Sequence, residues 1–387
     1  MEGEKCSIKT VLVFIKSIVF YSMQVSSFSF SKQIWKKLRR NPLAFGGLLV
    51  IVLFVLLAIF GYWIAPDNSP YADLQTVEIQ AKKPGYSQQF LKIPLQTVTG
   101  HTSSFTLLNG KPSPYAFLPI SGYRVKGDVL LVNKYVDEDT SVVQQFSISS
   151  ITHNNAYRLS DLIVVKKYLL GTDAFGRDIL SRLIIGTRVS LGVGLVAVLI
   201  SLTLGILLGA LAGYYRGWVD EIIMWLVNVT WSIPTLLLVF AITMAMGKGF
   251  WQIFVAVGLT MWVSVARLVR GQVLAIRELE YVQAAKALGF TNTRIILRHI
   301  LPNILGPLMV IAAANFATAI IIEAGLSFLG VGVQPPQPSW GLMIKEHYNF
   351  IITNRPTLAL MPGFAIMLLV LAFNLLGNGL RDAVDVK

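Results

Sequence analysis

The chain has 387 residues, 54% of them hydrophobic and 14% charged, against about one-quarter charged in soluble domains. That balance means either a very large core or a chain that lies mostly in lipid, and the length of the apolar runs decides between them. The net charge of +13 gathers beside apolar runs, which speaks for membrane flanks and against a nucleic-acid partner.

Residues 1–42 read as a cytoplasmic N-terminal segment. The stretch 11–20 is apolar but short, Lys16 interrupts it, and Ser26-Ser27-Phe28 is a poor cleavage site for a signal peptide. An interfacial helix fits this stretch. A translation start at Met23 fits it better, because Lys32, Lys36, Lys37, Arg39 and Arg40 then lie near a normal N-terminus. A helix crosses a bilayer with about 20 apolar residues, and 43–64 is the first uncharged run of that kind. Residues 66–168 are polar and rich in Pro, Ser, Thr and Lys, and predict a small β-containing extracytoplasmic insert. Its strand candidates are 104–108, 128–136 and 142–151. Asn109-Gly110 is a hairpin-type dipeptide, although Pro112 opposes a strand directly after it.

Five more apolar runs follow: 189–213, 222–246, 250–266, 303–322 and 357–376. The expected fold is therefore an all-α polytopic membrane protein of six transmembrane helices. Its first helix is 43–64, its five-helix core is 189–377, and a cytoplasmic tail covers 378–387. Gly205, Gly209 and Gly213, four residues apart, allow close helix packing in lipid, within this subunit on the simpler reading. Pro234 and Pro362 each interrupt a span's hydrogen bonding. Lys and Arg in short flanking loops stay on the cytoplasmic side, and those before the first span and between the fourth and fifth put both termini inside. Arg177, Arg182 and Arg188 run against that rule, but they end a loop of the length that largely escapes it.

The loop 270–302 carries the most informative stretch, ELEYVQAAKALGFTNTRIILRHILP at 278–302. Its first half is built of helix formers, Gly289 suits the position after a helix end, and Thr291 suits the start of a second helix. On the first helix Tyr281, Ala284, Ala285 and Leu288 share a face by i, i+3, i+4 spacing. Such a face suits docking to a soluble partner; capping the ends of two spans is the competing reading.

Catalytic residues, cofactors and metals are not expected. No G-x-x-x-x-G-K-[ST] phosphate loop occurs, Gly247-Lys248 lacking both the upstream glycine and the following hydroxyl, and neither HExxH nor GxSxG appears. Cys6 is the sole cysteine, and His101, His153, His299 and His347 are scattered. A transport step would draw its energy from a partner. An ion-coupled secondary transporter would show inverted repeats and several buried ionisable residues; the spans carry almost none. The polar residues at membrane depth that are candidates for lining a translocation pathway are Asn228, Asn315, Glu323 and Asn374.

Gln283-Ala284-Ala285, then Gly289, then Leu301-Pro302 resemble the cytoplasmic EAA signature of ABC importer permeases. Gln283 stands where that signature has Glu, keeping hydrogen-bonding capacity but not charge, and His299 stands where Ile is usual. The segments LGTDAFGRDILSRL (170–183), RLVRG (267–271), EAGLSFLGVGVQPPQPSWG (323–341) and LAFNLLGNGLRD (371–382) resemble the C-type permease subunit of dipeptide and oligopeptide importers. The resemblance covers about 32–64 and 168–387 and leaves 1–31 and 66–167 outside. It implies the type I ABC importer permease fold in a bacterial inner (plasma) membrane. It further implies a heterodimer with a homologous permease subunit, cytoplasmic ABC ATPase subunits, and an extracytoplasmic solute-binding protein. Tyr281, Gln283, Ala284, Ala285, Leu288, Gly289, Leu301 and Pro302 would then form the ATPase-coupling site. The cargo implied is short peptides, with nickel or another small solute left open.

Overall fold

A computed structural model of the chain describes residues 30–95, 109–151, 158–247, 249–353 and 355–384. The stretch 11–20, Met23, Cys6, His101, His153, Lys248 and the strand candidate 104–108 lie outside the described residues.

Helix α1 (Phe30–Arg40) leads into α2 (Pro42–Ile64) across Asn41, whose side chain accepts the Ala44 N–H while Pro42 takes the first helical position. Helix α2 has 23 residues without a charge, about 34 Å at 1.5 Å per residue. Helix α3 (Ile179–Tyr215) has 37 residues, begins at the Asp178 cap and starts ten residues before the apolar run that announced it. At about 55 Å it exceeds the roughly 30 Å of bilayer hydrocarbon. The expected third span is broken: α4 (Gly217–Ser232) and α5 (Thr235–Met246) meet at 95°, with Pro234 at the break. Helices α6 (Phe250–Ile276), α7 (Glu280–Ala287), α8 (Leu305–Phe328), α9 (Trp340–His347) and α10 (Thr357–Val384) complete the bundle. Among the described residues five helices are each long and apolar enough to cross a membrane, six if the bent pair counts as one span.

Helices α3 and α6 pack along the glycine row. A Cβ on Gly209 would stand 2.5 Å from the Ala266 carbonyl oxygen, one on Gly205 2.9 Å from that of Trp262, and one on Gly213 2.8 Å from that of Arg270. The row thus joins two helices of this chain, and the backbones approach only because the side chain is missing. Val193, Ala197, Val257 and Ala256 continue the buried core between them.

The segment 66–168 does contain strands: β1 (Tyr86–Pro94), β2 (Tyr115–Lys126), β3 (Val129–Tyr135), β4 (Ser141–Ser147) and β5 (Ile163–Tyr168) form an antiparallel sheet in the order β4-β3-β2-β1-β5. The candidates 128–136 and 142–151 correspond to β3 and β4, the latter ending at Ser147 in a helical turn. Strands β1, β2 and β5 were not anticipated. One sheet face packs Leu91, Ile120, Leu130 and Val132 against Ile151 and Leu162, the other packs Phe90, Tyr135 and Tyr168 against Ile79 of the segment after α2. The residues before Asn109-Gly110, on which a hairpin there depends, lie outside the described residues. Gly110, at φ +74°, lies against Tyr62 and the Asn68 carbonyl, where a Cβ would stand 2.8 and 2.9 Å from them.

The ends of the bundle are tied differently. Lys37 donates to the Ala383 carbonyl at 3.2 Å and Gly306 abuts Val384, so α1, the start of α8 and the end of α10 meet at one end. Val282 and Ala285 of α7 pack with Ile300, Ile304 and Leu308 around the start of α8, placing α7 there too. The insert, α9 and the start of α3 gather at the opposite end.

Candidate functional site

At the α1 end, α7 is a two-sided helix. Val282 and Ala285 are buried with Ile295, Ile300 and Ile304 against Val269 and Val273 of α6. Tyr281, Gln283, Ala284 and Leu288 are exposed, Leu288 at 74%. The four-residue face expected from spacing is therefore divided: Ala285 turns into the core and Tyr281, Ala284 and Leu288 remain outside. The reason is that Val282 and Ala285 are the apolar pair on the side facing α6. The helix ends as expected, with Gly289 at φ +77° and the Phe290 N–H bonded to the Ala285 carbonyl at 3.2 Å. Pro302 is exposed and Leu301 half-buried, in a single helical stretch running from Asn292 through a π turn (Ile296–Ile300) into α8.

Polar ties hold this turn on the bundle. Asn303 Nδ2 donates to Tyr281 Oη at 3.0 Å, Gln283 Nε2 to the Arg277 carbonyl at 2.8 Å, and Tyr214 Oη to Asn292 at 2.9 Å. Arg216 pairs with Glu278 at 2.6 Å, and Phe290 stacks on His299 at 5.9 Å. Gln283 thus serves its own turn, through a bond its amide makes and a carboxylate could not donate.

The four pathway candidates are not brought together; among the described residues no hydrogen bond joins any two of them. Asn228 is exposed on α4 and accepts from Arg267 at 3.2 Å. Asn374 is exposed on α10, and Asn315 is buried with its Nδ2 unbonded. Glu323 is fully buried: Ser327 Oγ donates to its Oε1 at 2.7 Å and accepts the Val333 N–H at 3.1 Å. That carboxylate organises the Gly- and Pro-rich loop before α9.

The opposite end holds a buried ionic clasp. Arg177 reaches Asp173 at 2.6 Å, Glu346 at 2.9 Å and Asp73 at 3.1 Å. Arg182, wholly buried, stands 3.6–3.8 Å from the same three carboxylates. Asp73 comes from the segment after α2, Asp173 from the loop before α3 and Glu346 from α9, so the clasp fastens three elements to one another. Arg188 donates to the Ala58 and Ile59 carbonyls of α2. The arginines that ran against the charge rule are therefore consumed inside the protein. Asp173, Glu346 and His347 bring ligand-type atoms within 4.8 Å of one another, but both carboxylates bind Arg177, and His347 Nε2 accepts the Ala174 N–H at 3.4 Å while Nδ1 meets the Met343 carbonyl at 2.7 Å. Burial holds the His347 imidazole below its usual pKa and so neutral. These donors are committed to protein partners.

Residues 205–387 match the binding-protein-dependent transport system inner membrane component, and residues 29–82 match the N-terminal TM domain of oligopeptide transport permease C. The glutathione transport system permease protein of Pectobacterium atrosepticum is 45% identical over 218 residues, 56% of this chain and 72% of the relative. The chain belongs to the binding-protein-dependent permease family. The dipeptide transport system permease protein of Alkalihalophilus pseudofirmus is likewise 45% identical to this permease, over 57% of this chain and 72% of the relative. Among solved structures, an inward-facing methionine ABC transporter aligns at 21% identity and TM-score 0.44, over 53% of the permease and 97% of that chain. The permease is thus the membrane component of an ABC importer, working with ATPase and substrate-binding partners and carrying no ATPase site itself.

Proposed function

We propose that this permease forms half of a transmembrane pathway for short peptides, paired with a homologous permease subunit as a heterodimer, and that α7 couples it to the cytoplasmic ATPase. The observation that carries the coupling is the exposed face Tyr281, Ala284 and Leu288 on a helix whose other side is anchored in the core. An exposed Leu288 beside a small Ala284 offers an apolar knob and a close approach to a cleft, and Gly289, Leu301 and Pro302 shape the turn behind it. ATP-driven change in the cleft would move α7 as a body with α6 and α8, which needs two packings with different ATPase contact. In this reading six spans cross the inner membrane, both termini and 270–302 face the cytoplasm, and 66–168 forms an extracytoplasmic domain near the docking position of the solute-binding protein. Names of relatives with glutathione and dipeptide cargo favour peptides over nickel or another small solute.

Ala284→Arg tests the reading. Ala284 is exposed, so the substitution leaves the fold intact while placing a bulky charge on the docking face. Wild type purified in mild detergent is expected to bring down a second permease and an ATPase, and the variant to keep the permease and lose the ATPase by at least tenfold. A variant that retains both refutes the coupling face.

A further inference from the structure

A cleft of about 370 Å³ opens at the foot of the insert, between the sheet and the segment that follows α2. Three lysines enter it: Lys92 from β1, Lys166 from β5 and Lys111 from the segment before β2. Register places them together, since Lys92 lies opposite Phe117 on β2 and Lys166 opposite Gln88, two pleats along the same face of β1. Lys111 is brought over by its N–H, which donates to the Asn68 carbonyl at 2.9 Å beside the close-packed Gly110.

None of the three meets a carboxylate within salt-bridge distance among the described residues. Two of them stand over aromatic rings: Lys166 Nζ lies 3.3 Å from the Phe117 ring centroid and Lys92 Nζ 5.4 Å from that of Tyr115. The acid in the lining, Asp67, is already occupied, accepting the Ser69 N–H at 2.9 Å and the Leu74 N–H at 3.2 Å. Burial pushes the Lys166 ammonium down to about 8. The charges of Asp67 and Asp178 offset this only in part, and an anion in the cleft would offset the rest. The cleft therefore sets three ammonium groups against one carboxylate that is already hydrogen-bonded.

Its depth names the class of anion. The floor begins at Pro66, two residues past the end of α2, and Trp63 there is 82% exposed. Aromatic rings at the end of a span sit at headgroup level, which is where lipid phosphates lie. We propose that this cleft binds a phosphate group, that of an anionic membrane lipid, and so seats the insert on the bilayer surface. The proposal needs only that the chain spans a membrane; it does not depend on the α7 coupling or on the cargo.

The test uses the full-length permease, with whatever subunits co-purify, in phosphatidylcholine nanodiscs. Phosphatidylglycerol and inorganic phosphate are titrated separately, and bound lipid is counted by native mass spectrometry. The variant is Lys92→Gln with Lys111→Gln, Lys92 being half-buried and Lys111 exposed, with Lys111→Gln alone as the milder form. Wild type is expected to retain phosphatidylglycerol over phosphatidylcholine. The double variant should lose about thirtyfold in that affinity, the attraction of two lysines near an anionic surface. If inorganic phosphate at millimolar concentration displaces the lipid from wild type and does not bind the variant, the phosphate site stands with the free ion as an occupant. Equal phosphatidylglycerol retention by wild type and variant, with no response to inorganic phosphate, overturns the proposal. So does displacement of the lipid by a peptide carboxylate but not by phosphate.

Discussion

Arg177 and Lys166 are both withdrawn from water at the insert end, and what faces each of them differs. The Arg177 guanidinium meets three carboxylates between 2.6 and 3.1 Å, and its removal leaves them to Arg182, which is farther from all three. Deleting one member of a buried ionic set costs about 3–5 kcal/mol, so Arg177→Met should lower the thermal midpoint sharply. Lys166 has no such partner. A pKa held at about 8 instead of 10.5 corresponds to about 3 kcal/mol at neutral pH, of which the Phe117 ring returns a part. Lys166→Met, close in length and without charge, should therefore raise the midpoint. The sign of the pH dependence follows: between about 8 and 10.5 the unfolded chain binds the proton that folded Lys166 has released, so stability rises with pH across that window. Midpoints of both variants from pH 7 to 10.5 in lipid-free detergent decide the matter; a destabilised Lys166→Met that keeps the rise would show that the ammonium is compensated after all.

At the scale of elements, the α3–α6 contact depends on the glycine row. Gly209→Leu puts a side chain where the Ala266 carbonyl already stands, and overpacking of a tight contact costs about 1–3 kcal/mol. A lowered midpoint by fluorescence-detected size exclusion is expected, while Gly271→Leu, with open space around it, should remain near wild type. Equal behaviour of the two would remove the row from the folding argument. These spans were legible in the sequence because lipid demands unbroken apolar runs, and run length survives without knowledge of packing. The first ten residues of α3 were not, since Ser181, Arg182 and Thr187 look like loop residues yet are buried among other elements. Strand β1 escaped for the opposite reason. Phe90 and Leu91 are adjacent and both fully buried, so a sheet covered on both faces leaves no alternation to read. In β2, Pro119 and the register shift at Gly122 hid the strand further. On α7 the helix and its Gly289 end were readable, but periodicity alone could not say that Ala285 belongs to the buried side with Val282. The clasp was invisible as a unit, because Asp73, Asp173 and Glu346 meet only through the fold.

For the whole molecule the question is which end faces the cytoplasm. The α1, α7 and α10 termini meet at one end, and that end carries Lys36, Lys37, Arg39, Arg40, Lys286, Arg294 and Arg298 as exposed side chains. Lys and Arg in short flanking segments are retained inside. The arginines of the other end no longer oppose this, because Arg177 and Arg182 are neutralised in the clasp and Arg188 caps α2 carbonyls. Two sites report the orientation directly: Leu288, 74% exposed beside α7, and Val143, 60% exposed on β4. In a Cys6→Ser background, a membrane-impermeant maleimide applied to right-side-out vesicles should label Val143→Cys and spare Leu288→Cys. Inside-out vesicles should reverse the pattern. Labelling of Leu288→Cys from the outside would invert the molecule, put the coupling face beyond the reach of a cytoplasmic ATPase, and place the phosphate-seeking cleft on the inner leaflet.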